Sequence, residues 1–461
     1  MKAKTRRLLI LPLVLAALLG AGLWGCADLR RAVAVPVHFT SHGLCSAVFI
    51  GGADARRYFE DAIAPQIAPA DALIDYAVDR EGRAVSADLA GLVESRAVYR
   101  GAAGCIVVHE GMGVPADTGP PPSSPADIAA VEPGDAKWQA ALARAFAETP
   151  RAPHRRTKAV VVMVDGRVVA ERYAPGVTPG TPLPGWSMTK SVANALIGIL
   201  VRDGRLDVAA PAPVAAWLGA GDGRRRISVE HLMRMTGGLD LGDSVAPGWT
   251  AMFDRSAQMA FDMPDTAAFA GAAPLVAEPG TLWGYADGST QILAGIIRDA
   301  VGGDVAGFIR RELLDPLGMT GVTIETDAAG TPLLYAQMWA PARAWARFGM
   351  LFADDGMAGG RRILPPGWVD LSARQTEGSE DFGYGAGFWT NRGEGPAIRH
   401  RLALGLPADS FMARGNQGQY VVVVPRLKLV IVRMGSAFTP RGDIETVARL
   451  VADVVAIVEG R

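Results

Sequence analysis

Apolar positions along the chain follow two different periods, and the changes between them outline the architecture. Residues 158–173 (KAVVVMVDGRVVAERY) are two apolar runs on either side of Asp165-Gly166, a dipeptide suited to a tight turn, and predict a hairpin. Beyond them Met188, Val192, Leu196, Ile199 and Leu200 recur at helical spacing, predicting a buried helix that starts near Ser187 and stops at Asp203-Gly204. Residues 205–375 mix helical stretches with Gly/Pro turns. Strand-like runs return at 419–425 (QYVVVVP) and 428–433 (KLVIVR), before a helical pattern over 443–458; another helix is predicted around 136–148. Strands at both ends of a helical middle predict an α/β (α+β) fold, its sheet built from the two termini with a mostly helical subdomain inserted.

The N-terminal pattern is of another kind. Lys2, Lys4, Arg6 and Arg7 precede an unbroken apolar run from Leu8 to Trp24, the layout of a secretory signal. The run ends in Leu23-Trp24-Gly25-Cys26, similar to a lipobox, in which Cys26 is the lipidation candidate; an uncleaved anchor and ordinary signal cleavage are the alternatives. Residues 1–26 therefore predict export to the cell envelope, with attachment to the membrane through the anchor or a lipid. The remaining cysteines, Cys45 and Cys105, are an even pair in an oxidising compartment, each followed by a short strand-like run, and predict one structural disulfide. Residues 27–155 contain that pair and a Pro/Gly/Ser-rich stretch (112–125) but no motif, and read as an extension packed on the main domain at 156–461.

Composition removes whole classes of function. Among 461 residues, 47 acidic side chains nearly cancel 46 basic ones, which are spread along the chain, so nucleic-acid binding is not expected. The histidines (His38, His42, His109, His154, His231 and His400) lack zinc-hydrolase spacing, no Gly-x-Ser-x-Gly elbow is present, and no Gly-rich phosphate loop follows a strand. His231 lies on an apolar helix and reads as a structural histidine.

The chemistry concentrates in residues 185–191, GWSMTKS. Residues three apart share a helix face, so Ser187 and Lys190 can meet at a helix start, where free N–H groups favour an oxyanion. A lysine partly desolvated there could be neutral near pH 7 and take the serine proton. Lysine is scarce: beyond the N-terminal segment only Lys137, Lys158, Lys190 and Lys428 occur.

Ser187-Met-Thr-Lys190 resembles the S-x-x-K motif of the serine β-lactamase and penicillin-binding-protein superfamily, in particular the class C-like branch that includes esterases and 6-aminohexanoate-dimer hydrolases. Six further stretches match in order: EHLMRMTGGL (230–239), PGTLWGYAD (279–287), PLGM (316–319), FGML (348–351), YGAGFW (384–389) and RGNQGQ (414–419). The resemblance implies a β-lactamase-like fold with an antiparallel sheet flanked by helices. It also implies a serine hydrolase that forms an acyl-enzyme on an ester or amide of a small substrate and needs no metal or cofactor.

By the same resemblance Tyr285 shares proton transfer with Lys190, a phenolate being a competent base if the lysine stays cationic. The N–H groups of Ser187 and Gln419 form the oxyanion hole, and Asn416, Gln417 and Gly418 line the substrate site, Gly418 by letting the substrate approach closely. Asp287 stands where the family has Asn, offering a negative charge to a substrate amine. Asn416 replaces a Lys or His, leaving Arg414 or Arg433 to meet a substrate carboxylate. Both changes point away from β-lactams; β-lactamase or D-alanyl-D-alanine peptidase activity and a non-catalytic sensor are the alternatives.

Overall fold

The first element among the described residues is a long helix, α1 (Cys26–Phe49), laid on an antiparallel sheet of β1 (Ile74–Asp79), β2 (Ala84–Leu89), β3 (Val93–Tyr99) and β4 (Cys105–Val107). The computed structural model describes residues 26–460 other than 114–115, 125–128, 220, 222, 245–250 and 252; the expected export segment, residues 1–25, and the side chain of Cys26 lie outside the described residues. Within α1 the stretch Ala32–Phe49 is long and apolar enough to cross a membrane, yet 78% of it is buried in the protein. Val37, Phe39, Leu44 and Ala47 pack against Val85, Ala87, Leu89 and Ala97, so this stretch is the core helix of the N-terminal unit.

The predicted disulfide joins Cys45 of α1 to Cys105 of β4, with Cα atoms 6.1 Å apart. Cys105 opens a strand as expected, but Cys45-Ser-Ala-Val-Phe lies in the last turns of α1. A short apolar run has no period of its own, and the amphipathic stretch before it carries the helix through.

The main sheet begins with the predicted hairpin, β5 (Thr157–Val164) and β6 (Arg167–Tyr173), turned by Asp165 and Gly166 at φ 47° and 77°. It is completed by β7 (Trp389–Thr390), β8 (Phe411–Gly415), β9 (Gln419–Val424) and β10 (Leu429–Gly435) in the antiparallel order β7-β8-β9-β10-β5-β6. The last strand, β10, pairs with the first, β5, so the two chain ends do build one sheet.

Helices cover both faces: α2 (Ala136–Phe146), α3 (Thr189–Arg202), α6 (Ala342–Ala353) and α7 (Ile444–Val458) lie on the sheet, while α4 (Arg255–Asp262) packs on α1 and α5 (Asp287–Val301) packs on α3. Val160, Val162, Val422 and Ile431 meet Leu142 of α2 and Val447 and Val451 of α7, whereas Val161, Val421, Val430 and Val432 meet Leu196 of α3 and Phe348 of α6. Burial on both sides explains why β9 and β10 read as unbroken apolar runs. α2, ahead of residue 156, packs on this sheet through Leu142 and Ala145.

The N-terminal unit is joined to the helical insertion by a buried polar contact. Glu325, fully buried, accepts hydrogen bonds from Ser46 Oγ (2.9 Å) and the Cys105 N–H (2.7 Å), with His42 Nε2 at 3.5 Å. Burial alone would lower the His42 pKa, but the Glu325 carboxylate outweighs it and the pKa is raised. Arg100 adds bonds from Nη2 to the carbonyl (2.7 Å) and hydroxyl (3.0 Å) of Thr326.

Candidate active site

Ser187 sits in a short 3-10 turn, Trp186–Met188, that runs directly into α3. Trp186 has φ 49°, a conformation costly for a bulky side chain. Two glycines explain how this turn is held. A Cβ on Gly185 would lie 2.3 Å from Trp345, and one on Gly415, at the end of β8, would lie 2.3 Å from the Gly185 carbonyl. The strand therefore reaches the nucleophile turn backbone to backbone, a distance open only to glycine.

One turn on, Lys190 is 2% exposed and its ammonium donates three hydrogen bonds: to Ser187 Oγ (2.9 Å), Asp287 Oδ1 (2.5 Å) and the Tyr335 carbonyl (2.8 Å). All three donors of the charged form are thus used. Burial would depress this pKa, but the Asp287 carboxylate, followed by Tyr285, outweighs it and holds Lys190 above the ordinary lysine value. The expectation of a lysine neutral near pH 7 is reversed, and the cause is Asp287.

Asp287, expected to face a substrate amine, does line the cleft, but its carboxylate is already engaged by a cation of the protein itself. It is the first residue of α5, where the helix dipole favours a carboxylate. Its N–H donates to Ser244 Oγ (2.7 Å), and its Oδ2 accepts from Ser256 Oγ (3.3 Å). Tyr285, two residues earlier, lies with its ring centroid 5.0 Å from Lys190 Nζ and packs edge-on to Tyr384 (5.7 Å) and beside Trp389 (5.4 Å). The motif thus delivers two residues to one ammonium from opposite ends of a helix cap.

The loop between β8 and β9 departs from expectation. Gln417 and Gly418 have φ 58° and 78°, so the chain reverses tightly; Gly415, Asn416 and Gln417 face the cleft, while Gln419 is already paired with Gly415 in the sheet. Gln419 is 1% exposed and outside the cleft lining, its side chain donating to the Gly435 carbonyl (2.6 Å) and accepting from the Gly435 N–H (2.9 Å). Gly418 serves an internal need rather than substrate approach: a Cβ there would lie 2.4 Å from Arg433 Nη1. Arg433 is itself buried, bonded to the Gln417 and Gly418 carbonyls and 3.4 Å from Asp443, so it cannot meet a substrate. Arg414 does line the cleft, its guanidinium 5.1 Å from the Trp389 ring. Asn416 and Gln417 reach across to the N-terminal unit, donating to Gln66 Oε1 (2.7 Å) and the Ala62 carbonyl (3.0 Å).

These residues border one cleft of about 980 Å³. Ser187, Tyr285 and Asp287 lie in its wall together with Val35, Pro36, Phe39, Gln66 and Ile67 of the N-terminal unit. His231 is elsewhere, closing the capping box of a short helix with Ser228, as a structural histidine should.

A model of the family described as Beta-lactamase matches residues 142–456. The chain belongs to the Beta-lactamase family. Among its relatives, the 6-aminohexanoate-dimer hydrolase of Paenarthrobacter ureafaciens is 28% identical over 290 residues, covering 61% of this chain and 72% of that protein. A Bacillus anthracis protein assigned by inference as a 6-aminohexanoate-dimer hydrolase shares the fold at TM-score 0.58 and 23% identity, covering 74% of this chain and 90% of that one. A family VIII carboxylesterase does so at TM-score 0.55 and 17% identity, covering 71% and 98%.

Sequence reasoning brought Ser187, Lys190, Tyr285 and Asp287 of this family member to one place. It missed the Tyr335 carbonyl, Ser244 and Ser256, which belong to loops and a helix without a motif. It also missed the contribution of residues 35–67 to the cleft, because their apolar pattern is that of any core helix.

Proposed function

We propose that this protein, a serine hydrolase of the Beta-lactamase family, cleaves an ester or linear amide of a small substrate through an acyl-enzyme on Ser187. The observation that carries the reading is the contact of Ser187 Oγ with a lysine whose charge is fixed by Asp287. With Lys190 already an ammonium, the base is Tyr285 reacting as its phenolate, which takes the proton of Ser187 to become the phenol as Oγ bonds to the carbonyl carbon. Lys190 supplies the positive charge beside both oxygens. The oxyanion is held by the N–H groups of Ser187 and Asn416, the latter next to Gly415 where strand and nucleophile turn touch. Tyr285 returns the proton to the leaving alcohol or amine, and water then releases the acyl group by the reverse transfers. Small-molecule substrates fit a cleft of this size.

The test is labelling and turnover. A fluorophosphonate should form an adduct on Ser187, and Ser187→Ala should lose both the adduct and p-nitrophenyl acetate hydrolysis. Full turnover by that variant would overturn the mechanism. A fluorophosphonate adduct without a penicillin adduct is the outcome expected of an esterase or amidase.

A further inference from the structure

The cleft lining is chemically mixed. Arg414 and Arg441 contribute cations, with Arg441 Nη1 2.9 Å from His400 Nε2. Part of the apolar lining is supplied by the N-terminal unit, which lies ahead of the family match at 142–456. Val35, Pro36 and Phe39 are spaced three and four apart or adjacent on α1, so they share one helix face. That face and Ile67 line the same cleft as Ser187. Phe39 packs edge-on to Phe261 of α4 at 5.1 Å and lies 6.3 Å from the ring of Trp186, the residue before the nucleophile.

We propose that α1 and Ile67 form a hydrophobic subsite for an aliphatic chain or flat apolar group of the substrate adjoining the scissile carbonyl. The N-terminal unit is thereby part of the specificity machinery and not a detached extension. This inference rests on the hydrolase reading above.

The position of the wall is fixed from three directions. The Cys45–Cys105 disulfide ties α1 to its own sheet, Glu325 holds it to the helical insertion, and Gln66 and Ala62 hold it to the loop at Asn416 and Gln417. A wall so anchored can discriminate by size, because it does not collapse when the subsite is empty. Phe39 is 8%, Val35 6% and Ile67 6% exposed, so what they present to the cleft is a narrow apolar edge suited to a thin chain. Each methylene buried there raises kcat/KM by about fourfold until the subsite is filled.

The experiment uses two ester series on the full chain. One lengthens the acyl group, from p-nitrophenyl acetate to octanoate; the other lengthens the alcohol, from ethyl to octyl acetate, and the series that responds identifies which side of the bond enters the subsite. In the responding series the wild type should prefer longer chains. Val35→Ser and Ile67→Ser, each checked for a native melting transition, should lower the long-to-short ratio of kcat/KM by about tenfold, mainly through KM for the long substrate. Val35→Ile should keep the preference and shift its optimum to a shorter chain. Unchanged ratios in both serine variants, or no chain-length preference in either series, would overturn the subsite. Ser187→Ala separates this from the reaction itself: its loss of all turnover beside unchanged ratios rejects the subsite alone, whereas its retention of turnover rejects the hydrolase mechanism.

Discussion

Replacing Asp287 by Asn removes the carboxylate and keeps the shape, so it isolates what the charge does to Lys190. The pair is 2.5 Å apart, with side chains 2% and 17% exposed. At an effective dielectric of 20 the gross attraction is about 7 kcal/mol, most of it offset by stripping water from both ions. Removing one partner of such a pair costs about 3 kcal/mol, the low end of the usual range, because Asn still offers Lys190 an acceptor. Without the Asp287 carboxylate the burial of Lys190 is no longer outweighed, so the Lys190-dependent limb of the rate profile moves to lower pH.

The sign follows from the raised Lys190 pKa. Its contribution to stability is fully present below the ordinary lysine pKa of about 10.4 and is lost as pH rises through the higher folded value. Wild-type activity should accordingly persist into alkaline solution, while Asp287→Asn should lose it at lower pH than the wild type. The assay is kcat/KM for p-nitrophenyl acetate from pH 6 to 10.5, with urea melts at the same pH values. A folded Asp287→Asn enzyme whose profile coincides with that of the wild type would refute the claim that Asp287 fixes the charge of Lys190.

The joint between the two units should also respond to change. The Cys45–Cys105 bridge spans 60 residues, so Cys45→Ser should destabilise the protein by about 4 kcal/mol in denaturant titration; a loss below about 1 kcal/mol would show that the bridge does not constrain the chain. The raised pKa of His42 gives stability that is present below about pH 6.5 and lost as pH rises through the folded value, so the stability gap between wild type and His42→Gln should narrow from pH 5 to pH 9. A gap independent of pH would show that His42 is not charged against Glu325.

The sequence by itself determined the sheet, the nucleophile helix and the residues around Ser187, because each rests on a local signal. Apolar periods and a turn dipeptide specify β5, β6, β9, β10 and α3. A three-residue spacing puts Ser187 and Lys190 on one helix face, and the short interval from Tyr285 to Asp287 keeps them together wherever α5 begins. Tertiary structure decided how those residues are charged and what surrounds them. Lys190 is an ammonium because folding brings Asp287, 97 positions away, to 2.5 Å, and the same contact engages the carboxylate that lines the cleft. Gln419 lies outside the cleft because the positive φ of Gln417 and Gly418 turned the loop before it, a conformation that side chains alone do not announce. The apolar wall of the cleft came from α1, whose buried face carries no sign of whether a core or a substrate will cover it. Spacing along one element fixes which groups can act together, whereas charge state and specificity are set by neighbours remote in the chain.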